Sequence, residues 1–147
     1  MSKKDADHTA RPAVSTKEAL MEAGLKLFAE NGFDGTSVQD IAKSADVNVS
    51  LVSYHFGGKE GLYQEGLKKF AENRVQISRL IFTPATSYPD FENKMRMWAE
   101  EILKAHMKED YCTRIIHRDI MLGNPVTLKV FDETFLQGFY VIRDFIQ

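Results

Sequence analysis

Apolar residues recur with helical spacing in the segment from residue 36 to residue 62. The first run occupies positions i, i+3, i+4 and i+7, which predicts an amphipathic helix of about two turns; its residues are Val38, Ile41, Ala42 and Ala45. Thr36 is the predicted N-cap of this helix. Gln39 follows three residues later, where its side chain would complete a capping box.

A second short helix is predicted over residues 49–55, with Asn48 as its N-cap and Gly57-Gly58 as its stop. Val52 and Phe56 lie four positions apart and face inward. The outer face then carries Val49, Ser50, Ser53, Tyr54 and the edge of Leu51. Such a surface suits thymine methyl groups, base edges and phosphates, so the two helices predict a helix-turn-helix that places one helix in the DNA major groove.

The segment before these helices completes a small helical core. Ser15 and Glu18 form a capping-box pattern, and Asn31-Gly32 is a typical C-terminal stop. The apolar stripe between them has helical spacing. The predicted core of the three helices contains Leu27, Phe28, Phe33, Ile41, Val47, Val52 and Phe56.

About 45 of these residues resemble the TetR family of transcriptional regulators. The resemblance rests on four motifs with family spacing: Ala23-x3-Leu27-Phe28-Ala29-x2-Gly32-Phe33, Thr36-Ser37-Val38-x2-Ile41-Ala42, Ala45-x-Val47 and Tyr54-His55-Phe56-x2-Lys59-Glu60-x-Leu62. It implies that residues 49–55 form the recognition helix. Tyr54, His55 and Lys59 are then phosphate candidates, and Val49, Ser50 and Ser53 are base-facing candidates. The family often has Tyr at the position of Ser53, so readout there should differ.

The charge of the N-terminal half is nearly balanced, which is unusual for a DNA-binding domain. Residues 1–70 contain nine Lys and Arg against ten Asp and Glu. Phosphate contacts need local donors rather than a basic domain. Lys59, the predicted helix N-termini near Thr36 and Asn48, and the cations of an N-terminal arm can supply them. We therefore expect modest nonspecific affinity.

The second half continues the helical pattern, so the predicted fold class is all-α. A fourth helix runs on from Lys59 to Phe82, and further helices are predicted over residues 90–107, 111–122 and 126–146. We expect three regions: a disordered arm over residues 1–13, a helix-turn-helix DNA-binding domain over residues 14–62, and a helical ligand-binding and dimerisation domain over residues 63–147.

Aromatic and polar residues of the second half suggest an apolar cavity among its helices. The candidate lining residues are Trp98, His106, Tyr111, His117, Phe131 and Phe135. Taken singly, an aromatic residue at helical spacing is more often plain core. The resemblance makes the cavity itself an expectation, because regulators of this family usually bind a small molecule there. For Arg118 and Asp119, a surface or interdomain ion pair is preferred over ligand binding.

Several chemistries are not indicated by the sequence. No apolar run is long enough for a transmembrane helix, and the single Cys112 fits the reducing cytoplasm, where we expect the protein to act. His117-Arg118-Asp119 matches part of a kinase catalytic loop, but the other kinase motifs are missing. No catalytic set, metal-ligand spacing or cofactor motif was found, so we expect neither an enzyme nor a bound metal or cofactor.

The preferred hypothesis is a ligand-responsive transcriptional regulator, a repressor that binds a palindromic double-stranded DNA operator as a homodimer and responds to a small-molecule effector. The alternative is a helical small-molecule-binding or scaffold protein whose helix-turn-helix no longer binds DNA. The last helix stays apolar up to Gln147 without a stop signal. The family usually carries two further helices that form its dimer. We therefore expect the chain to be truncated at its C-terminus, or Phe139, Phe145 and Ile146 to pack against a partner chain.

Overall fold

The computed structural model describes residues 15–108 and 110–147, and this described part is all-α, as predicted. The predicted arm over residues 1–13 lies outside it. The elements are α1 (Thr16–Asn31), α2 (Val38–Ser44), α3 (Ser50–Phe56), α4 (Lys59–Ile81), α5 (Tyr88–Met107), α6 (Tyr111–Leu122), α7 (Pro125–Val130), a π-helical segment (Phe131–Phe135) and α8 (Leu136–Ile146). None of the helices in this part is both long and apolar enough to cross a membrane.

The start of α1 is as predicted, whereas the predicted start of α2 was wrong by one residue. Ser15 and Glu18 form the expected capping box. At α2 the N-cap is Ser37, whose hydroxyl accepts the backbone N–H of Asp40, and the Asp40 carboxylate accepts the backbone N–H of Ser37 in return. Thr36 instead turns inward, where its hydroxyl donates to the Gly32 carbonyl at 2.8 Å.

The predicted start of α3 also needs a correction. The helix begins at Ser50, and Val49 rather than Asn48 occupies the cap position. Asn48 still serves the helix start, because its Oδ1 accepts the backbone N–H of Ser50 at 2.9 Å. At the other end Gly57 adopts a left-handed conformation with φ of 73°, which a residue without a side chain adopts at little cost.

The predicted single helix over residues 126–146 is interrupted. Asn124 caps α7 and Pro125 starts it, but the turn widens into a π-helix at residues 131–135. Within this segment the rings of Phe131 and Phe135 stack with centroids 5.4 Å apart.

One hydrophobic cluster joins both halves of the chain. Phe28, Ile41, Val52 and Phe56 are buried in it, as predicted, and the predicted core residues Leu27, Phe33 and Val47 pack against it half-buried. The cluster also takes in residues of three later helices, which are Leu62, Tyr63 and Leu67 of α4, Cys112, Ile115 and Ile116 of α6, and Val130 of α7. The helix-turn-helix is therefore held by α4 and α6 as well as by its own three helices.

Candidate nucleic-acid interface and cavity

The outer face of α3 is exposed where the sequence predicted it. Val49 is 43% exposed and Tyr54 80% exposed, and Ser50 and Ser53 are exposed as well. The opposite face is anchored, because Val52 and Phe56 are buried in the core. An apolar and a large aromatic side chain are thus held in water on a rigid helix, as a surface for binding a partner would require.

The Ser50 hydroxyl is already engaged within α3. It donates to Asn48 Oδ1 at 2.7 Å, the same oxygen that accepts the backbone N–H of Ser50. Its own oxygen remains able to accept a hydrogen bond. His55 is half-buried, with its ring 4.9 Å from that of Tyr54 and 6.2 Å from that of Phe56.

Lys59 has a structural role that the sequence did not reveal. Its ammonium donates to the carbonyls of Phe33 and Thr36 at 2.9 and 3.0 Å, and it lies 4.2 Å from the centroid of the Phe33 ring. These contacts tie the first turn of α4 to the turn between α1 and α2. A lysine has three N–H donors, so one is left for a phosphate. That contact stays a prediction.

Thr36 is unsuited to the DNA contact proposed for it. Its side chain is 2% exposed and faces the Gly32 carbonyl. The start of α4 is a better anion site than the start of α2, because Gly58 offers no side-chain cap to the first N–H groups of α4. Uncapped N–H groups at a helix N-terminus are a common phosphate-binding site.

A cavity of about 420 Å³ lies between α4, α5, α6, the π-helical segment and α8. Five of the six predicted residues line it, namely Trp98, His106, His117, Phe131 and Phe135. Tyr111 does not, because at the start of α6 it packs against the hydrophobic cluster instead. The sequence missed the contribution of α4, whose Phe70, Arg74, Val75 and Ser78 form part of the wall.

Asp119 lies at the centre of a buried polar network beside the cavity. It is 3% exposed and accepts hydrogen bonds from the Tyr63 hydroxyl, from Thr127 Oγ1 at 2.9 Å and from Asn124 Nδ2 at 3.0 Å. Burial raises the pKa of the Asp119 carboxyl, and the hydrogen bonds from Thr127 and Asn124 oppose this shift. The network joins α4, α6 and α7.

The predicted pairing of Arg118 with Asp119 is present, but its carboxylate is buried rather than at the surface. Arg118 Nε lies 3.1 Å from Asp119 Oδ1, and Nη1 donates to the Ala29 carbonyl of α1 at 3.3 Å. The arginine thereby connects α6 directly to the helix-turn-helix half. Cys112, about two turns earlier in α6, is buried, and burial raises the pKa of its thiol to about 12. It is therefore a core residue rather than a reactive thiol.

Comparison with known proteins identifies relatives of both halves. Residues 20–65 match the family model of bacterial regulatory proteins of the tetR family. Over 136 residues the chain is 31% identical to the probable HTH-type transcriptional regulator YttP of Bacillus subtilis (strain 168), a match that covers 91% of this chain and 64% of YttP. It is 36% identical over 52 residues to IcaR of Staphylococcus aureus (strain Newman), the negative transcriptional regulator of the biofilm operon icaADBC, with 35% of this chain and 28% of IcaR covered.

The fold of the described part is shared with solved regulators. A mutant of HlyIIR superposes with a TM-score of 0.67 at 29% identity, covering 90% of this chain and 69% of that one. A TetR-family transcriptional regulator from Mesorhizobium loti superposes with a TM-score of 0.65 at 20% identity, covering 90% and 66%, and shows likeness of fold alone. The chain spans less than two thirds of the length of YttP. The matched proteins are regulators of transcription, not enzymes.

Proposed function

We propose that the chain is a member of the tetR family of bacterial regulatory proteins, whose family model matches residues 20–65, and that it is a ligand-responsive transcriptional repressor acting in the cytoplasm. It binds a palindromic double-stranded DNA operator as a homodimer. Residues 14–62 form the DNA-binding domain, and residues 63–147 form part of the regulatory domain. The observation that carries the proposal is the exposed outer face of α3 beside the uncapped start of α4. The negative regulation named for IcaR supports the repressor role.

In this proposal the two sides of the interface have different tasks. Val49, Ser50 and Ser53 meet base edges in the major groove, while Tyr54, His55 and the start of α4 at Lys59 hold the phosphates. One recognition helix covers only a few base pairs, so useful affinity requires two copies on a palindrome. The half-site centres then lie about one helical turn apart, or a multiple of it.

Two routes connect the cavity to this interface. The helix α4 has 23 residues and spans about 35 Å at about 1.5 Å per residue. Its first turn borders the proposed DNA surface, and its later turns line the cavity through Arg74 and Ser78. The helix α6 also lines the cavity and contacts α1 through Arg118, so α4 is not the only element able to transmit a change.

The effector, in this scheme, acts by selecting a conformation. A small molecule in the cavity releases the operator only if it binds the DNA-incompetent arrangement more tightly than the competent one. Such a molecule changes the spacing of the two recognition helices of the dimer. The decisive comparison is therefore the spacing of the two recognition helices in the DNA-bound dimer, measured with and without ligand.

A fluorescence-anisotropy titration with DNA from the flanks of the protein's own gene tests the DNA-binding half of the proposal. Ser53→Ala should change the preference among operator variants by about 1–3 kcal/mol at one base position. Thr83→Ala, an exposed change in the loop after α4, is the matched control and should change nothing. A uniform loss across all variants would exclude Ser53 from base readout.

The second candidate, a helical binding or scaffold protein, has one observation in its favour. Residues 1–70 carry nine basic and ten acidic side chains, so the proposed DNA-binding half is not basic. Failure to bind any flanking fragment at low salt, where electrostatic attraction is strongest, would favour that candidate.

A further inference from the structure

The cavity wall contains one arginine, Arg74, whose guanidinium has neither a carboxylate nor a hydrogen-bond partner among the described residues. Arg74 of α4 is half-buried, and its guanidinium lies 5.2 Å from the centroid of the Phe70 ring. Within residues 15–108 and 110–147 no ion pair or side-chain hydrogen bond involves this guanidinium. A guanidinium in a largely apolar wall is partly desolvated, and its five N–H donors match a carboxylate well.

The other charges of the wall do not compensate Arg74. Glu101 is the acidic residue of the lining, and its carboxylate pairs with Lys104 at 3.1 Å. The unpaired charge facing the cavity is therefore positive. A ligand cation would meet this uncompensated charge, whereas a ligand anion would neutralise it.

His117 of α6 offers a second polar group. Its ring lies 5.1 Å from that of His106, centroid to centroid, and has no hydrogen-bond partner among the described residues. His106 Nδ1 is 2.8 Å from the Ile102 carbonyl, which can only accept, so this nitrogen donates to it. His117 is thus the histidine of the pair that is free to donate to a ligand oxygen.

The rest of the wall is apolar and rich in rings. Phe131 and Phe135 stack at 5.4 Å, Phe70 lies 6.2 Å from Phe135, and Trp98 and Phe139 complete the aromatic part of the lining. A cavity of about 420 Å³ is of the size that small organic ligands occupy. Such a wall selects an apolar body, flat or chain-like, with few polar groups.

We propose that the cavity binds an apolar monocarboxylate, with the carboxylate on Arg74, assisted by His117, and the body against the aromatic wall. This rests on the proposed function, because it names the effector class of the same cavity. Two kinds of molecule fit this description, an acid that contains a ring and an aliphatic chain acid. Both place one negative charge at the end of an apolar body.

The test uses 4-butylbenzoate, its uncharged amide, the cation 4-butylbenzylammonium, and decanoate as the chain acid. Trp98 is the only tryptophan and lines the cavity, so its fluorescence reports binding at this place, and calorimetry supplies the affinities. At least one of the two acids should bind about tenfold more tightly than the amide, and the cation should bind most weakly. The relative affinity of 4-butylbenzoate and decanoate distinguishes the ring from the chain.

Three variants locate the charge. Arg74→Met should lower the affinity for the preferred acid by about tenfold and leave that for the amide unchanged, whereas Arg74→Lys should recover part of the loss. Arg79→Met removes an exposed arginine from the same helix outside the cavity and should change neither affinity. Retained amide binding shows that the Arg74→Met variant has kept its cavity.

The outcomes separate the ligand class from the function. If the amide or the cation binds as tightly as the acids or more tightly, the proposed preference for a carboxylate is overturned. The cavity then remains a ligand-binding site. An equal loss in Arg74→Met and Arg79→Met would overturn the role of Arg74. If none of the four compounds binds, the ligand class is overturned, and the anisotropy titration with DNA still decides the DNA-binding function independently.

Discussion

Removing one buried hydroxyl measures what the polar network around Asp119 contributes. Tyr63 is fully buried, and its hydroxyl donates to Asp119 and lies 3.0 Å from Thr127 Oγ1. Its ring contacts those of Phe28 and Phe33, each with centroids 5.1 Å apart. Tyr63→Phe keeps the ring and its buried apolar area, so the change isolates the hydrogen bonds.

The expected loss follows from the charge of the acceptor. A hydrogen bond to a charged group contributes about 1.5–3 kcal/mol to the free energy of unfolding. Asp119 keeps donors from Arg118, Asn124 and Thr127, so we expect a value near the lower end, about 2 kcal/mol. For a chain of this size that corresponds to a fall in Tm of roughly 4–8 °C.

Thermal unfolding followed by far-UV circular dichroism at pH 7 measures this loss. Tyr54→Phe is the matched control, because it removes the same hydroxyl from a side chain that is 80% exposed. The control should stay within about 0.5 kcal/mol of the wild type. A Tyr63→Phe variant that melts together with the control would show that the buried hydroxyl adds nothing to stability, and the reasoning about the network would be wrong.

Two further predictions concern the first turns of α2 and α4, near the proposed interface. Ser37→Ala should cost about 1 kcal/mol at pH 7 in urea unfolding. Hydrogen bonds from the Ser37 side chain and backbone lower the pKa of Asp40. This pair therefore stabilises the fold at pH values above the ordinary carboxyl pKa, and its contribution is lost as the pH falls through the lowered pKa. The variant should therefore show a smaller loss of stability on acidification than the wild type, and an equal loss would contradict it. Lys59→Met should lower the free energy of unfolding by about 1–2 kcal/mol, because two carbonyls lose their donor, while the exposed Lys26→Met should have no effect. Lys59→Met should also reduce the slope of the logarithm of the DNA-binding constant against the logarithm of the salt concentration by about one unit. An unchanged slope would restrict Lys59 to its structural role.

Capping and stop residues in the sequence were sufficient to predict both ends of α1 and of α6. The bounds of α6, residues 111–122, are those predicted, because Gly123 provides an unambiguous stop. The start of α2 shows where such signals fail. Thr36 and Ser37 are both good N-caps, and each has a residue with a polar side chain three positions later. Two capping registers were therefore available in the sequence, and only tertiary burial of the Thr36 hydroxyl decides between them.

The cavity was partly predictable, whereas the contacts that position it were not. Aromatic residues at helical spacing indicated three of its lining residues, Trp98, Phe131 and Phe135, and candidate polar groups indicated two more, His106 and His117. Tyr63 and Asp119 are 56 positions apart, and Lys59 and the Phe33 carbonyl 26 apart. Partners so distant carry no local pattern, and Tyr63 by itself resembles any other core aromatic. Arg74 likewise becomes informative only once the structure shows that no carboxylate of the described residues pairs with it.

The geometry of α6 explains how a ligand in the cavity would affect the helix-turn-helix. Successive residues of a helix are turned by about 100°, so neighbours in sequence face different parts of the structure. His117 faces the cavity, whereas Arg118 and Asp119, the next two residues, reach α1 and Tyr63 of α4. Rotation or displacement of α6 by a ligand must then move a buried carboxylate away from its donors. Loss of those hydrogen bonds in the interior is costly, so α1 and α4 have to follow α6 to keep them. The polar network around Asp119 couples the two halves more stiffly than apolar contacts can. Apolar side chains can slide past one another without losing directional bonds, whereas hydrogen-bonded groups cannot.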